Sequence, residues 1–273
     1  FNSVFQLDTI KRNGGSALEA AEKVLFIPDA LIYMLTGKAI CEYTVASTSQ
    51  MLNPFTGDLD EDILKTLGLP REKFGVMTQP GTVVGTLTPQ VQEATGLGAI
   101  PVVAVAGHDT GSAVAAVPAE DGEYAYLSCG PWSLLGIESK KAIITEDSFR
   151  ENFTNEGGIE GTTRFLKNIC GLWLFEQSRK EFKDVTDSVG ELVALCEQSS
   201  YEGIINPDAP CFTAPASMTA AIRDYCVSTG QPAPQTPADY CRCIFKSLAL
   251  RYREIVGILQ GMCSFPIRRL HVI

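Results

Sequence analysis

One stretch constrains this chain more than any other: Ile100 to Ile137, IPVVAVAGHDTGSAVAAVPAEDGEYAYLSCGPWSLLGI. Its opening run, Pro101 to Ala106, is β-branched, apolar and bounded by Gly and Pro, which predicts a buried strand. The strand stops at Gly107. His108 and Asp109 then fall at a strand tip, where an α/β protein ordinarily keeps its chemistry. Small residues lead on to Val117-Pro118, and Asp121-Gly122 turns the chain. Two further apolar runs flank Ser128-Cys129-Gly130-Pro131, which predicts a hairpin with a glycine at its tip. An acid at one strand end and a glycine hairpin soon after make a plausible pair of base and phosphate cradle.

The remaining elements frame that stretch. A helix is expected from Ser16 to Leu35, broken at Pro28 and stopped by Thr36-Gly37. Asp60 to Leu67 is a short amphipathic helix ended by Gly68. Pro80 to Thr86 reads as a strand and turn. Thr88 suits an N-cap for Pro89 to Thr95, because Pro suits the first helical position. Asn155 to Gly158 reads as a turn, Gly161 to Phe182 as a long helix with Leu166, Ile169, Leu172, Trp173 and Phe175 on its apolar side, and Asp187 to Ser199 as another helix. Asn168 interrupts the apolar side of the long one. Thr236-Pro237-Ala238-Asp239 opens a helix whose apolar face is Ile244, Phe245, Leu248, Tyr252, Ile255, Val256 and Leu259. Arg268 to Ile273 begins a strand. Both ends of the chain read as cuts inside a domain.

Charge and cysteine content bound the function. The chain carries 22 Lys plus Arg against 32 Asp plus Glu, a net charge of −10. That balance argues against nucleic acid or an anionic membrane as partner. It leaves an anionic substrate open, since backbone N–H groups can hold phosphate. No apolar run approaches a membrane span. The nine cysteines are scattered without a C-x-x-C pair, as expected of reduced thiols in the cytoplasm. Cys241 and Cys243, two apart on a helix, should face different directions. With His108 and His271 far apart, no metal site is expected. No Walker A, Gly-x-Gly-x-x-Gly or Gly-x-Ser-x-Gly pattern is present.

Taken alone, Gly-His-Asp is more often a structural turn than a site, and Ser128 to Pro131 more often a plain hairpin. A wider likeness shifts that balance. AGHDTGSAVAAVPA followed by YLSCGPWSLLGIE, together with NEGGIEGTTRFLKNICGLWLFEQ and LTGKAICEYTVASTSQMLNPFTGDLDEDILKTLGL, resembles the FGGY family of carbohydrate kinases. Within it the likeness is greatest to the branch that phosphorylates L-rhamnulose. The resemblance implies an α/β protein of the actin-like ATPase, ribonuclease-H-like fold, with two domains, both truncated. Residues 1–117 would be the remainder of an N-terminal sugar-binding domain and 118–273 the first part of a C-terminal nucleotide-binding domain.

The resemblance also implies roles. Asp109 would be the base that deprotonates the first-carbon hydroxyl of L-rhamnulose for attack on the γ-phosphate of magnesium-ATP. His108, Thr110 and Asn168 would contact the sugar. Gly130, Pro131 and Glu176 would lie against the nucleotide. The partners implied are a small sugar and ATP with Mg, with neither nucleic acid nor membrane. Two positions depart from the family pattern. Pro131 stands where Thr is usual, which removes a hydroxyl and an N–H. Glu176 stands where Gln is common, which puts a negative charge near a polyanion. An Asp-Gly phosphate hairpin and a Gly-rich adenosine loop are expected outside the chain, so the 273 residues alone should not turn over ATP. The alternatives are another FGGY kinase, for xylulose, fuculose or glycerol, or a non-catalytic actin-like binding module.

Overall fold

The computed structural model describes residues 2–182 and 188–273. In chain order its elements begin with helices α1 (Ser3–Arg12), α2 (Ser16–Ala20) and α3 (Ile27–Thr36), strand β1 (Ile40–Glu42), and helices α4 (Tyr43–Ser47) and α5 (Glu61–Leu67). Strands β2 (Val76–Thr78) and β3 (Val83–Thr86), helix α6 (Pro89–Thr95), strand β4 (Pro101–Val103) and helix α7 (Asp109–Ala115) follow. Then come β5 (Tyr124–Cys129), β6 (Trp132–Ser139), α8 (Glu146–Arg150), β7 (Thr154–Gly157) and β8 (Thr163–Cys170). The chain continues through α9 (Trp173–Arg179), α10 (Val189–Gln198), α11 (Met218–Ser228), α12 (Pro237–Met262) and β9 (Arg269–Val272). Among the described residues no helix is long and apolar enough to cross a membrane.

The elements form two compact units. The first comprises residues 1–118 and 138–165, the second 119–137 and 166–273. In the first unit, Leu7, Met51, Leu59, Leu64, Leu67, Leu69 and Phe74 pack into one core. β1 pairs parallel with β2, Ile40 opposite Val76. The pairing is close enough that a Cβ on Gly75 would overlap the backbone of Ile40, so only glycine fits there. β3 pairs antiparallel with β4, and β7 lies beside β8. In the second unit the strands run in the order β8-β6-β5-β9. β5 is antiparallel to β6 and parallel to β9. A core of Leu174, Phe175, Leu192, Phe212, Ile222, Ile244 and Leu248 fills the space between its helices.

Local signals hold where the chemistry is local. Thr88 caps α6 by accepting from the N–H of Val91, with Pro89 in the first turn. Asp60 caps α5, and Thr236 and Asp239 form a capping box on α12. The hairpin turns at Gly130-Pro131.

Several expectations are corrected. The helix expected over 16–35 is two helices, because Val24 bridges to Phe74 between them. Pro28 sits in the first turn of α3 rather than at a break. The helix expected over 161–182 is strand β8 followed by α9. Thr163 to Cys170 is rich in buried and β-favouring side chains, sheet pairing outweighs the i, i+3 pattern, and Gly171 ends the strand. The turn expected at 155–158 is largely β7, where the Asn155 amide bonds both the N–H and the carbonyl of Ile143. The helix expected from Asp187 is α10, and Asp187 itself lies outside the described residues. The buried strand expected over 101–106 is shorter and edge-like, with Val105 63% exposed, since β3 is its described neighbour. Cys241 and Cys243, expected to face different directions, do not conflict with that reading: both are fully buried, because α12 packs against both α9 and α10.

Candidate active site

The turn that carries His108 and Asp109 is held by a buried carboxylate. Glu42 ends β1 and is 1% exposed. Its Oε1 accepts from the N–H of Thr44 (2.9 Å), and its Oε2 from the N–H of Val45 (3.0 Å) and the Thr44 hydroxyl (2.6 Å). These bonds cap α4. The same Oε2 accepts from the N–H of Gly107 at 2.9 Å, and Thr44 Oγ1 accepts from the N–H of His108 at 3.2 Å. A Cβ on Gly107 would stand 3.0 Å from Oε2 and 3.1 Å from Pro28, so glycine lets the strand end lie against its clasp.

Behind Glu42 lies Asp29, which is fully buried. The N–H of Glu42 reaches both of its oxygens at 3.2 Å. Burial pushes the Asp29 carboxyl up to about 7; the Glu42 N–H opposes the rise and the Glu42 charge adds to it. The folded chain therefore keeps a proton at Asp29 that the unfolded chain releases near its ordinary 3.8. Unfolding sheds that proton between about pH 4 and 7, so this contribution to stability falls as pH rises through the window. Over about three units it amounts to something on the order of 4 kcal/mol. Asp29→Asn removes the dependence. The stability of the variant relative to the parent, from urea titrations at pH 4, 5.5 and 8, is expected to climb with pH. A difference flat across that range would overturn the assignment.

Asp109 opens α7 with its side chain 96% exposed. Its Oδ1 accepts from the N–H of Thr110 at 2.7 Å and lies 3.3 Å from His108 Nε2. Thr110 is buried. On the other edge of the imidazole, Nδ1 lies 2.9 Å from Arg164 Nη2 and 3.3 Å from Glu156 Oε2. Arg164 is fully buried; it pairs with Glu156 at 3.1 Å and donates from Nε to the Gly157 carbonyl at 3.0 Å. A carboxylate with one tethered and one open oxygen, beside a partly buried imidazole, can take a proton from an alcohol brought to it.

The other candidates lie in the second unit. At the hairpin tip the Gly130 N–H donates to the Trp132 carbonyl at 2.9 Å, and Pro131 has no N–H. Neither tip residue has an amide to spare for phosphate. Their carbonyls are taken as well: Pro131 accepts from Gly171 and Trp173, both at 3.1 Å, and Gly130 from Leu172 at 2.9 Å. A Cβ on Gly171 would stand 2.7 Å from the Gly130 carbonyl oxygen, so this seam also requires glycine. Asn168 is exposed on β8. Glu176 pairs with Arg179 at 2.9 Å, which offsets its charge.

Beside the hairpin a cavity of about 260 Å³ is lined by Trp132, Cys170, Trp173, Asp208, Ala209 and Phe212, among others. Burial, and then the Asp208 charge, push the Cys170 thiol up to about 11, which removes it as a nucleophile. A larger cavity, about 810 Å³, lies against α11 and α12 and holds none of the candidate residues. Among the described residues no three His, Cys, Asp or Glu side chains converge on a metal position.

Sequence reasoning missed Glu42, Thr44, Asp29, Glu156 and Arg164. The only local trace of the clasp is an acid two residues before a threonine at a helix start. Nothing in the spacing joins Glu42 to Gly107 or Arg164 to His108.

Comparison with known proteins places this geometry. Residues 1–116 match the N-terminal domain of the FGGY family of carbohydrate kinases, and residues 125–273 match its C-terminal domain. A rhamnulokinase from Bacteroides thetaiotaomicron is 56% identical over the whole chain, which covers 56% of that protein. One from Pectobacterium atrosepticum is 43% identical, again over the whole chain and 54% of its own length. The chain thus spans about half the length of the curated relatives it matches. Among solved structures, a gluconate kinase from Lactobacillus acidophilus superposes with a TM-score of 0.73 at 14% identity, over 99% of this chain and 55% of that one. A xylulose kinase from the same organism gives 0.70 at 16% identity, over 99% of this chain and 55% of its own. These likenesses show the fold.

Proposed function

The chain belongs to the FGGY family of carbohydrate kinases, and we propose that it carries the sugar side and the base of a cytoplasmic, ATP-dependent kinase that phosphorylates L-rhamnulose on its first-carbon hydroxyl. The observation that carries this reading is the Asp109 carboxylate: exposed, tethered through Oδ1 alone, and set on a turn fixed by a buried clasp. In this reading Asp109 takes the hydroxyl proton as the sugar oxygen attacks the γ-phosphate. His108 and Thr110, from residues 1–117, and Asn168, from residues 118–273, hold the sugar. Gly130, Pro131 and Glu176 border the nucleotide. Magnesium arrives with ATP as part of the substrate, bound to phosphate oxygens and water. The choice of L-rhamnulose rests on the names of the relatives at 56% and 43% identity.

A second reading has its own observation. A hairpin tip with no spare amide fits a non-catalytic, actin-like binding module that has lost its phosphate cradle.

One coupled assay of ATP turnover tests both. A polypeptide extended to the full length of the relatives is expected to turn over ATP with L-rhamnulose in preference to L-fuculose, D-xylulose and glycerol. The 273-residue chain alone is expected to give no sugar-dependent turnover. A preference for another sugar reassigns the substrate; no turnover by the extended polypeptide favours the binding module; turnover by the short chain refutes its inactivity.

A further inference from the structure

We infer that Arg164 is a positioning residue: by hydrogen bonding His108 Nδ1 it fixes His108 as the Nε2–H tautomer, which anchors Asp109 Oδ1 and leaves Oδ2 as the oxygen that accepts the substrate proton. The inference rests on the reading of Asp109 as the base and adds to it a residue that touches neither sugar nor nucleotide.

A guanidinium fixes the direction of every hydrogen bond it makes. All its nitrogens are donors, and it stays protonated in proteins. Arg164 Nη2 lies 2.9 Å from His108 Nδ1, the mode of a hydrogen bond. At that separation two N–H groups cannot face one another, so Nδ1 presents its lone pair and the ring proton resides on Nε2. Glu156 pulls the other way, since its Oε2 would accept from an Nδ1–H. It stands farther off, at 3.3 Å, makes no hydrogen bond of its own, and has its charge paired with the guanidinium at 3.1 Å. The nearer donor decides.

The arginine has little freedom to turn away. It is fully buried, and its Nε is spent on the Gly157 carbonyl. The first turn of α7 covers it: a Cβ on Gly111 would stand 3.6 Å from both Cζ and Nη2. On the far edge of the ring, Nε2 lies 3.3 Å from Asp109 Oδ1, a longer electrostatic contact, and the Thr110 N–H and hydroxyl donate to the same oxygen at 2.7 and 3.5 Å. The two Thr110 donors and the Nε2 proton therefore all lie toward Oδ1. Oδ2 has no hydrogen bond among the described residues and points to where a hydroxyl can come. Had the tautomer been reversed, Nε2 would present a lone pair to a carboxylate, and the anchoring would become repulsion.

The test reads the ring directly. Nitrogen-15 correlation spectra of histidine-labelled 273-residue chain at pH 8 report which ring nitrogen carries the proton. The chain holds only two histidines, and His271→Gln assigns the signals. The parent is expected to show His108 with Nε2 protonated and Nδ1 bare. Arg164→Met leaves Glu156 as the nearest partner of Nδ1 and is expected to move the proton to Nδ1, while Arg164→Lys restores a cationic donor and the parent pattern. Should Arg164→Met fail to fold for want of a counter-charge, Glu156→Leu/Arg164→Met removes the buried pair together, and the fixed tautomer is expected to give way to a mixture. A parent spectrum with Nδ1 protonated overturns the inference. So does a tautomer unmoved in whichever Met variant folds. Because the spectra need no turnover, a failed kinase assay would strike the functional reading without touching this assignment.

Discussion

On the function proposed above, Asp109→Asn in a polypeptide extended to the relatives' full length is expected to lower the rate of phosphoryl transfer to L-rhamnulose by about 10²–10⁴-fold, the span a positioned general base supplies. The reason is specific to the geometry. Asparagine keeps a carbonyl-type oxygen for the Thr110 N–H, which now meets Oδ1 at 2.7 Å, so the turn and the sugar contacts proposed around it should persist. What is lost is the capacity to take a proton. The measurement is therefore a split one: turnover by coupled assay, and sugar affinity by calorimetry. A collapse in turnover with affinity largely retained supports the base; surviving turnover means that the proton leaves by another route.

The second large effect is on stability. Glu42→Ala removes the acceptor for four donors at once: the N–H groups of Thr44, Val45 and Gly107 and the Thr44 hydroxyl. Each buried donor left without a partner costs about 1–3 kcal/mol. Water entering the gap will satisfy some of them, so a loss of about 3–5 kcal/mol is expected, at the upper end for single substitutions. Urea denaturation measures it, and amide exchange at Gly107 localises it. A loss below about 1 kcal/mol, with Gly107 still protected, would mean that the turn is held by its own backbone rather than by the clasp.

The contrast between what could and could not be read from the residues follows the range of the forces. Caps such as Thr88 and Thr236 act within three residues and declare themselves. The hairpin at Gly130 does so too, because a glycine between two apolar runs has few alternatives. Residues 163–170 misled because Leu166 and Ile169 suit a helix face as well as a strand; pairing with distant strands decided. The site divides in the same way. His108 and Asp109 stand out as a polar pair at the end of an apolar run. Their supports come from 65 residues before Gly107, in Glu42, and 56 after His108, in Arg164. No local pattern announces such a partner, and in this chain the supports are buried charges that sequence reading would have assigned to the surface.

The first unit is assembled from two separated segments, 1–118 and 138–165. Its seam includes the bond from the Gly157 N–H to the Ser47 hydroxyl, 110 residues back. On the ribosome, then, the nascent chain exposes Asp109 and its neighbours long before the polypeptide that braces them has been translated. Domains tend to fold as they emerge, but this one must wait until Arg164 has been made. Until then the turn that holds Asp109 lacks the partner that Arg164 gives His108.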